Sequence, residues 1–219
     1  VNQGVLAAIS EDIAWLLKKG KEVLVVSSGA IALGRKNIKF PANLSLPESQ
    51  AMAAHGQIEL MSAWKKHLNK YSIVIGQILL TPRDTELKIS SNNSKQTIEK
   101  LLEVGCLPVI NENDSTATDE IKFGDNDTLA ALVSNLSEAK LLVILTDQDG
   151  LHTSDPKNDN SSKLVTKISV SDKNLNKYAG PSNSALGRGG MITKVSAAKK
   201  ASKSNTQTIK KKFFYRVKI

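Results

Sequence analysis

Four short apolar runs alternate with amphipathic segments along this chain, and each run ends in a polar loop. The runs lie at residues 23–26, 73–80, 107–110 and 141–145. A short apolar run bounded by polar residues is typical of a buried strand. Because strands that alternate with helices are typical of a parallel sheet covered on both faces, the pattern predicts an α/β fold. We expect a three-layer sandwich with a mostly parallel central sheet.

The stretches between these runs carry apolar residues at the spacing of a helix face. They predict helices within residues 5–17, 48–70, 95–104, 125–136 and 195–203, with another that begins at residues 31–34. Trp15 and Trp64 lie at helical spacing with Leu and Met, which favours the core for both. Residues 155–185 are polar and irregular, so we expect loops with one short strand near residues 163–170.

The net charge of +9 is distributed unevenly. Residues 1–187 carry 20 Lys and Arg against 21 Asp and Glu, whereas residues 188–219 carry ten Lys and Arg and no acidic residue. A cationic end on a nearly neutral body is typical of an appended patch and argues against a nucleic-acid-binding fold. A basic nucleic-acid-binding module is still an alternative, in which Phe213, Phe214 and Tyr215 would supply the stacking.

The composition argues against a membrane or secreted protein. No apolar run approaches the roughly 20 residues of a membrane span, and no secretory signal is visible at the N-terminus. The single cysteine, Cys106, cannot form an intramolecular disulfide and suits a reducing, cytoplasmic compartment. Because Cys106 lies directly before an apolar run, a small buried residue is favoured over a catalytic one.

Residues 111–127, here called the acidic loop, hold six of the chain's 21 carboxylates. They directly follow the predicted strand at 107–110, and open α/β sheets bind ligands at the carboxyl ends of their strands. Crowded carboxylates repel one another unless a cation lies between them. The loop therefore predicts a site for a metal ion, a Lys or Arg, or the amino group of a substrate.

Two glycine-containing segments are candidates for anion binding. Residues 27–30, Ser-Ser-Gly-Ala, follow a predicted strand, and such a turn exposes backbone N–H groups. An ordinary turn with a Ser cap is the alternative. Residues 187–194, Gly-Arg-Gly-Gly-Met-Ile-Thr-Lys, precede a predicted helix, so their amides and Lys194 could approach a phosphate. A flexible glycine loop is the alternative, and the spacing differs from a Walker A motif.

The remaining polar residues carry weaker signals. Thr146 and Asp147 follow the fourth predicted strand and face the carboxyl edge of the sheet, where they form either a ligand contact or a plain polar turn. His55, His67 and His152 lack the spacing of metal ligands and are expected at the surface or in packing.

Six segments, taken together in this order and spacing, identify a family far more specifically than any one of them alone. They are Ser-Ser-Gly-Ala at 27–30, Gly-Gln-Ile-Leu-Leu-Thr at 76–81, Pro-Val-Ile-Asn-Glu-Asn-Asp at 108–114, Phe-Gly-Asp-Asn-Asp at 123–127, Leu-Thr-Asp-Gln-Asp-Gly-Leu at 145–151 and Gly-Gly-Met-Ile-Thr-Lys at 189–194. On these residues the chain resembles the amino-acid kinase family, and within it the glutamate 5-kinases, over residues 1–209. The family's other kinases share the fold and the glycine-Lys element but not the acidic loop.

The resemblance implies transfer of the γ-phosphoryl group of ATP to the side-chain carboxylate of L-glutamate, with Mg²⁺ as cofactor. The product would be L-glutamyl 5-phosphate, the first intermediate of proline biosynthesis. By this likeness Ser28, Asp114 and Asn126 would bind glutamate, with Asp114 paired to the substrate ammonium. The resemblance further implies a homo-oligomer and passage of the product to glutamate-5-semialdehyde dehydrogenase.

The same likeness assigns the nucleotide and the catalytic groups. The residues that would hold ATP are Thr146, Asp147, Arg188, Gly189, Gly190, Met191, Ile192, Thr193 and Lys194. Lys194 would also act in catalysis, and Asp125 and Asp127 would support Mg²⁺ or orient neighbouring groups. Lys122 is a further cation of the acidic loop or a pairing partner of Asp119 or Glu120. The metal ligands stay unassigned.

The chain departs from the family pattern at both ends. Family members begin with a strand that carries Lys-x-Gly-Ser/Thr-Ser, and residue 1 lies in the helix that follows it, so the first strand and the last elements of the fold are expected to be missing. We expect residues 1–209 to form an incomplete kinase domain and residues 210–219 a basic tail outside the family. Arg188 replaces a small residue and would contact phosphate or crowd its loop.

Two further interpretations stay open at this point. Another amino-acid kinase, acting on N-acetylglutamate or aspartate, would share the fold but is disfavoured by the acidic loop. An inactive fragment of a glutamate 5-kinase would keep the fold only in part, since a phosphate-binding Lys and an internal strand are absent from residues 1–219.

Overall fold

The computed structural model describes residues 2–38, 41, 43–116, 125–156, 158–180 and 190–212. The chain divides into two compact units, Val1–Asn126 and Asp127–Ile219. Each unit combines helices with parallel strands, so the prediction of an α/β fold with parallel strands is confirmed. No helix in the described ranges is long and apolar enough to cross a membrane.

Among its described residues, the first unit contains five α-helices, a 3-10 helix (Asn69–Tyr71) and three strands. The helices are α1 (Gln3–Lys18), α2 (Ala30–Asn37), α3 (Leu46–Leu68), α4 (Pro82–Glu86) and α5 (Lys88–Glu103). The strands are β1 (Val25–Val26), β2 (Ile75–Leu80) and β3 (Leu107–Glu112). Thr81 precedes α4 as its N-cap, and Asp84 accepts from the Thr81 backbone N–H at 2.7 Å to close a capping box.

Two elements differ in length from the prediction. β1 covers only the last two residues of the apolar run at 23–26. Helix α5 begins at Lys88, well before residue 95, although Ser and Asn have weak helix preference. Within the helix, the Ser91 hydroxyl donates to the Lys88 carbonyl at 3.2 Å and the Thr97 hydroxyl to the Asn93 carbonyl at 2.9 Å. These local hydrogen bonds satisfy the polar side chains without ending the helix.

The three strands form one parallel sheet in the order β1-β3-β2. β3 lies in the centre and all six of its residues are buried, which is typical of a strand covered on both faces. Leu107 and Val109 point into the main core with residues of three helices. That core consists of Leu6, Ile13, Ala30, Leu33, Leu60, Trp64, Leu68, Leu107 and Val109. On the opposite face, Leu101 of α5 lies over Gly76 of β2, so helices cover both sides.

Helices α2 and α3 approach each other backbone to backbone. A Cβ atom on Gly56 would overlap the carbonyl oxygen of Ala30, and one on Gly34 would overlap that of Met52. Only glycine fits at these two positions. The contact places the start of α2, and the loop before it, against α3.

The two tryptophans, both expected in the core, have different environments. Trp64 is 4% exposed and lies in the main core, as predicted. Trp15 is 46% exposed, so its prediction was wrong. The buried residues of α1 include Ile13 and Ala14, and the helical turn of about 100° per residue carries position 15 away from them.

The second unit contains α6 (Asn126–Leu136), which starts at the last residue of the first unit, and the elements that follow it. These are β4 (Leu141–Thr146), β5 (Leu151–His152), β6 (Leu164–Val165), α7 (Leu175–Ala179), α8 (Met191–Ala201) and β7 (Gln207–Lys212). β4 and β7 pair in parallel, and β5 and β6 pair antiparallel. The core of this unit consists of Ala131, Leu142, Ile144, Ala197 and Ala201.

Residues 155–185 contain more structure than predicted. The short strand expected near 163–170 is the two-residue β6, and α7 was not predicted. Because α7 spans five residues, it is too short to show a helical period. β7 also continues to Lys212, so residues 210–212 of the proposed basic tail pair with β4. The division of the chain at residue 209 stays a prediction.

Candidate functional site

A hydrogen-bonded chain of polar side chains lies at the carboxyl end of β3 in the first unit. Asn111 is 3% exposed, and its amide donates to the Gln57 side-chain oxygen at 3.0 Å. Its carbonyl oxygen accepts from the Asn126 amide at 3.1 Å. Because buried amides are costly without partners, these bonds fix the orientation of both asparagines. Asn126 was predicted as a site residue, whereas Gln57 was not.

The same network reaches the loop after β1. The Asn126 amide also donates to the Ser27 backbone carbonyl at 2.7 Å, and the Trp64 indole N–H donates to the Ser27 hydroxyl at 2.9 Å. Ser27 therefore points into the protein, while Ser28 is exposed. Gly29, with φ of 108°, caps α2 without a side-chain hydrogen bond, so the alternative of a Ser cap is wrong. The Ser27 carbonyl thus joins the loop that carries Ser28 to the side chain of Asn126.

A small pocket of about 10 Å³ lies beside these residues in the first unit, and the predicted Asp114 is among its lining residues. Its lining residues are Ala30, Ala53, Gln57, Leu79, Glu112, Asp114 and Ser115. Glu112 is 8% exposed, and Asp114 is half-buried. Neither Gln57 nor Glu112 was predicted from the sequence. Gln57 is a polar residue among apolar ones on α3, and this pattern indicates a buried polar contact. Asp119, Glu120 and Lys122 lie outside the described residues.

In the second unit, the start of α8 is joined to the start of α6. The Lys194 ammonium donates to Asp127 Oδ2 at 2.9 Å, and the Thr193 hydroxyl lies 2.8 Å from the same oxygen. The side chains of Lys194 and Asp127 are only 17% and 18% exposed. Ion pairs that are shielded from water are weakened less by salt than exposed ones. Asp127 therefore holds the ammonium of Lys194 near the N-terminal turn of α8.

The glycine-rich segment is described only from Gly190 onward. Arg188 and Gly189, both predicted to bind ATP, lie outside the described residues. Gly190 precedes α8, and the Thr193 hydroxyl lies 2.9 Å from its carbonyl oxygen. Ile192 is 45% exposed. The described part of the segment thus forms a helix N-terminus, as expected for an anion site.

The loop after β4 is ordered by its own side chains. Thr146 is 5% exposed, and its hydroxyl lies 3.3 Å from Asp147 Oδ1 and accepts from the Gln148 N–H at 3.4 Å. Asp149 accepts from the Lys212 ammonium at 2.7 Å, and this hydrogen bond lowers the pKa of the Asp149 carboxyl. The predicted pair Thr146 and Asp147 therefore lies at the carboxyl end of a parallel strand.

Two lysines of β7 belong to the same end of the second unit and were not predicted there. Lys210 donates to the Gly150 carbonyl at 2.9 Å, and its Nζ lies 3.4 Å from the sulfur of Met191. Burial and the nearby charge of Lys194 lower the pKa of Lys210 to about 8. Positions 210–212 are all lysine, so no alternation marked a strand there, and residues 210–219 were read as a tail.

Cys106, His67 and His152 each have an environment of their own. Cys106 is half-buried, and burial raises the pKa of its thiol, which disfavours a nucleophile. His67 is buried, with Nε2 at 2.7 Å from Gln3 Oε1, as expected for a packing residue. His152 lies 3.4 Å from the Ser162 hydroxyl through Nδ1. Among the described residues, no three His, Cys, Asp or Glu side chains converge as a metal site.

Comparison with known proteins relates this chain to one family. Residues 2–210 match the amino acid kinase family. The chain is 49% identical over 205 residues to a glutamate 5-kinase of Bradyrhizobium diazoefficiens, covering 93% of this chain and 55% of that protein. It is 51% identical over 195 residues to a glutamate 5-kinase of Agrobacterium fabrum, covering 89% of this chain and 50% of that protein. The chain thus spans about half the length of these curated relatives.

Solved structures with the same fold have little sequence in common with this chain. A carbamate kinase from Giardia lamblia bound to AMP-PNP superposes with a TM-score of 0.67 at 14% identity. The superposition covers 95% of this chain and 84% of that one. At this identity, the likeness bears on the fold alone.

Proposed function

Because this chain belongs to the amino acid kinase family, we propose that it forms the kinase portion of a glutamate 5-kinase. It would transfer the γ-phosphoryl group of ATP to the side-chain carboxylate of L-glutamate. The observation that carries the proposal is the Lys194 ammonium, which Asp127 holds near the N-terminal turn of α8. The identity of 49–51% with proteins named glutamate 5-kinase supports the choice of substrate.

The first unit would bind glutamate. Asp114 supplies a half-buried carboxylate at the small pocket after β3 and would pair with the substrate ammonium. Ser28 would donate to a substrate carboxylate. The Asn126 amide already donates to Ser27 and Asn111, so Asn126 would offer its side-chain oxygen to the substrate ammonium. A preoriented amide loses little entropy when a ligand binds. This arrangement supports an amino acid with a free ammonium group over N-acetylglutamate.

The second unit would bind ATP. Backbone N–H groups at the start of α8 face outward without helical partners, and the helix dipole favours a phosphate there. Thr193 and Lys194 lie in the first turn of α8, and Thr146 and Asp147 lie at the end of β4. Arg188 and Gly189, together with Gly190, Met191 and Ile192, complete the proposed ATP contacts.

The reaction requires that the glutamate carboxylate be aligned with the γ-phosphoryl group and that positive charge lie near the group that is transferred. A γ-carboxylate oxygen of glutamate forms a bond to the γ-phosphorus as the bond from that phosphorus to the β,γ-bridging oxygen breaks, giving L-glutamyl 5-phosphate and ADP. The carboxylate is already ionised at neutral pH, so no general base has to remove a proton. Lys194 would offset the repulsion between the two anions and stabilise charge on the transferring group.

Magnesium would accompany the nucleotide. Mg²⁺ in kinase sites is held largely by substrate phosphates and water, with one or two protein carboxylates. The described residues fit that arrangement better than a protein cage, since no three ligating side chains converge among them. Asp125, a half-buried carboxylate directly before α6, would contribute a ligand, whereas Asp127 is bonded to Lys194. Bound Mg²⁺ would neutralise charge on the phosphates.

Three further assignments rest on the same proposal. The product is an acyl phosphate and a step toward proline, so a glutamate-5-semialdehyde dehydrogenase would consume it. A homo-oligomer and a cytoplasmic location complete the proposal, and the single cysteine supports a reducing compartment.

A hydroxamate assay tests the proposed function. The purified 219-residue chain is incubated with ATP, Mg²⁺ and hydroxylamine, which traps the acyl phosphate formed from glutamate, N-acetylglutamate or aspartate. Glutamate should give hydroxamate, and Asp114→Asn should raise the KM for glutamate about 10- to 100-fold with little change in the KM for ATP. Preference for N-acetylglutamate, or no product with any acceptor, would refute the proposal.

A further inference from the structure

Lys210 lies at the same end of the second unit as the start of α8. Its ammonium donates to the carbonyl oxygen of Gly150 at 2.9 Å and lies 3.4 Å from the sulfur of Met191, the first residue of α8. β7 runs parallel to β4, with Lys210 opposite Ile144. The position of Lys210 is therefore set by sheet pairing and by two contacts of its side chain.

The protein's own carboxylates compensate the charge of Lys210 only in part. The charged and titratable groups around it are Asp127 on α6, Asp147 and Asp149 after β4, His152 on β5, Lys194 on α8 and Lys212 on β7. Of the three carboxylates, Asp127 is bonded to Lys194 and Asp149 to Lys212. Two half-buried ammonium groups near one helix N-terminus repel each other, and a ligand with several negative charges would relieve that repulsion.

We infer that Lys210 is a phosphate-binding residue of this site, which would join Lys194 in neutralising the terminal phosphates of a nucleoside triphosphate. The identity of the nucleotide rests on the proposed function, whereas the affinity for a chain of phosphates rests on the two ammonium groups. A charge-assisted hydrogen bond from Lys210 to a phosphate oxygen is about twice as strong as a neutral one. Lys210 would raise the affinity for ATP and not for AMP, because AMP lacks the terminal phosphates that the Lys210 ammonium would contact.

Phosphate binding at Lys210 would couple to proton uptake. The pKa of Lys210 is lowered to about 8, and a bound polyanion would raise it. Because the bound state then holds the proton more tightly than the free state, affinity is fully present below about pH 8 and declines as the pH rises through that value. Near pH 8 each binding event should take up as much as about half a proton.

Isothermal titration calorimetry of the full chain tests the inference. ATP, AMP and inorganic tripolyphosphate are titrated near pH 8 in two buffers of different ionisation enthalpy, which yields the proton uptake. Lys210→Gln should weaken ATP and tripolyphosphate about tenfold, abolish the uptake and leave AMP unchanged. Lys210→Arg should keep the affinity without the uptake, since Arg does not titrate there. The exposed Lys203→Gln is the matched control for one lost charge.

The outcomes separate this inference from the proposed function. Equal ATP affinity and equal proton uptake in the wild type and Lys210→Gln would overturn the role of Lys210 alone. Tripolyphosphate binding that depends on Lys210, without ATP binding, would support the role and refute the proposed function. If thermal unfolding shows that Lys210→Gln does not fold, the proton uptake of the wild-type protein is the test. ATP binding by the wild type without proton uptake would contradict the inference.

Discussion

The Asp127 carboxylate accepts a hydrogen bond from the Lys194 ammonium at 2.9 Å, although the two residues are 67 positions apart in the chain. Asp127 lies in the first turn of α6 and Lys194 in the first turn of α8, so the pair joins two helix N-termini. The preceding residue, Asn126, bonds instead to Ser27 and Asn111 in the first unit. Asn126 and Asp127, which are adjacent in the acidic loop, therefore form hydrogen bonds with two different sets of polar residues.

Replacement of Asp127 by Asn should reduce catalysis more than it reduces nucleotide binding. The variant keeps a hydrogen-bond acceptor but removes the charge that fixes Lys194, so the ammonium would shift from its position. A misplaced catalytic group costs on the order of 100-fold, and we expect this loss mainly in kcat. Steady-state kinetics with ATP and glutamate measure it.

Thr193→Val is the matched comparison for the Asp127 variant. It removes the hydroxyl that lies 2.8 Å from the same carboxylate oxygen and leaves the ion pair intact. Its effect on kcat should be clearly smaller, about tenfold or less. Equal losses in both variants would mean that the charge of Asp127 has no special role.

Replacement of Asn126 by Asp should weaken glutamate binding selectively. The amide donates to the Ser27 carbonyl and to the Asn111 side-chain oxygen, and a carboxylate would face both acceptors without a proton to donate. We expect the KM for glutamate to rise about 10- to 100-fold. The exposed Asn92→Asp adds the same charge and should have wild-type kinetics. An unchanged KM in Asn126→Asp would remove Asn126 from the site.

Replacement of Gly56 by Ala should destabilise the first unit. The added methyl group would overlap the Ala30 carbonyl, and since that atom is backbone, α2 and α3 must separate. We expect a loss of about 1–3 kcal/mol, seen as a lower midpoint in denaturant unfolding. Gly4→Ala is the control, because its Cβ would make an ordinary 3.4 Å contact with the Asn2 side chain. Equal stability of both variants would argue against the close helix contact.

Alkylation of Cys106 should be slow in the folded chain. Burial raises the thiol pKa above its ordinary value of 9.0, so the reactive thiolate is scarcer at about pH 8 than in the unfolded chain. The rate should keep rising with pH beyond the point where an unfolded thiol levels off. Iodoacetamide labelling followed by mass spectrometry measures both rates. Cys106→Ser should retain activity, and loss of activity would assign the thiol a role.

Much of the fold could be predicted from residue periodicity. The buried run at 107–110 became the central strand β3, and the apolar face around Leu60 and Trp64 became part of α3. The errors arose where the local pattern is short or ambiguous. Five-residue α7 shows no period, and Trp15 lies one position beyond the buried stripe of α1.

Candidate site residues could be chosen from sequence for a different reason. Asp114 stands out because it lies just after a buried strand, and Lys194 because it follows a glycine-containing segment at the start of a predicted helix. Asn126 and Asp127 were chosen from the resemblance to the family. Gln57 and Lys210 do not stand out, since one lies inside a helix and the other in a basic run. Their partners, Asn111 and Gly150, are 54 and 60 positions away.

The sequence by itself determined the order of strands and helices, the family and the residues at the ends of the strands, because periodicity and local motifs are written in neighbouring positions. Only the tertiary structure decided which side chains are in contact. Asp127 accepts a hydrogen bond from Lys194, Asn126 donates one to Ser27, and the Lys210 ammonium contacts Met191 at the start of α8. The physical reason is that hydrogen bonds and ion pairs depend on distances of about 3 Å in space. Strand pairing and helix packing set those distances between residues far apart in the chain.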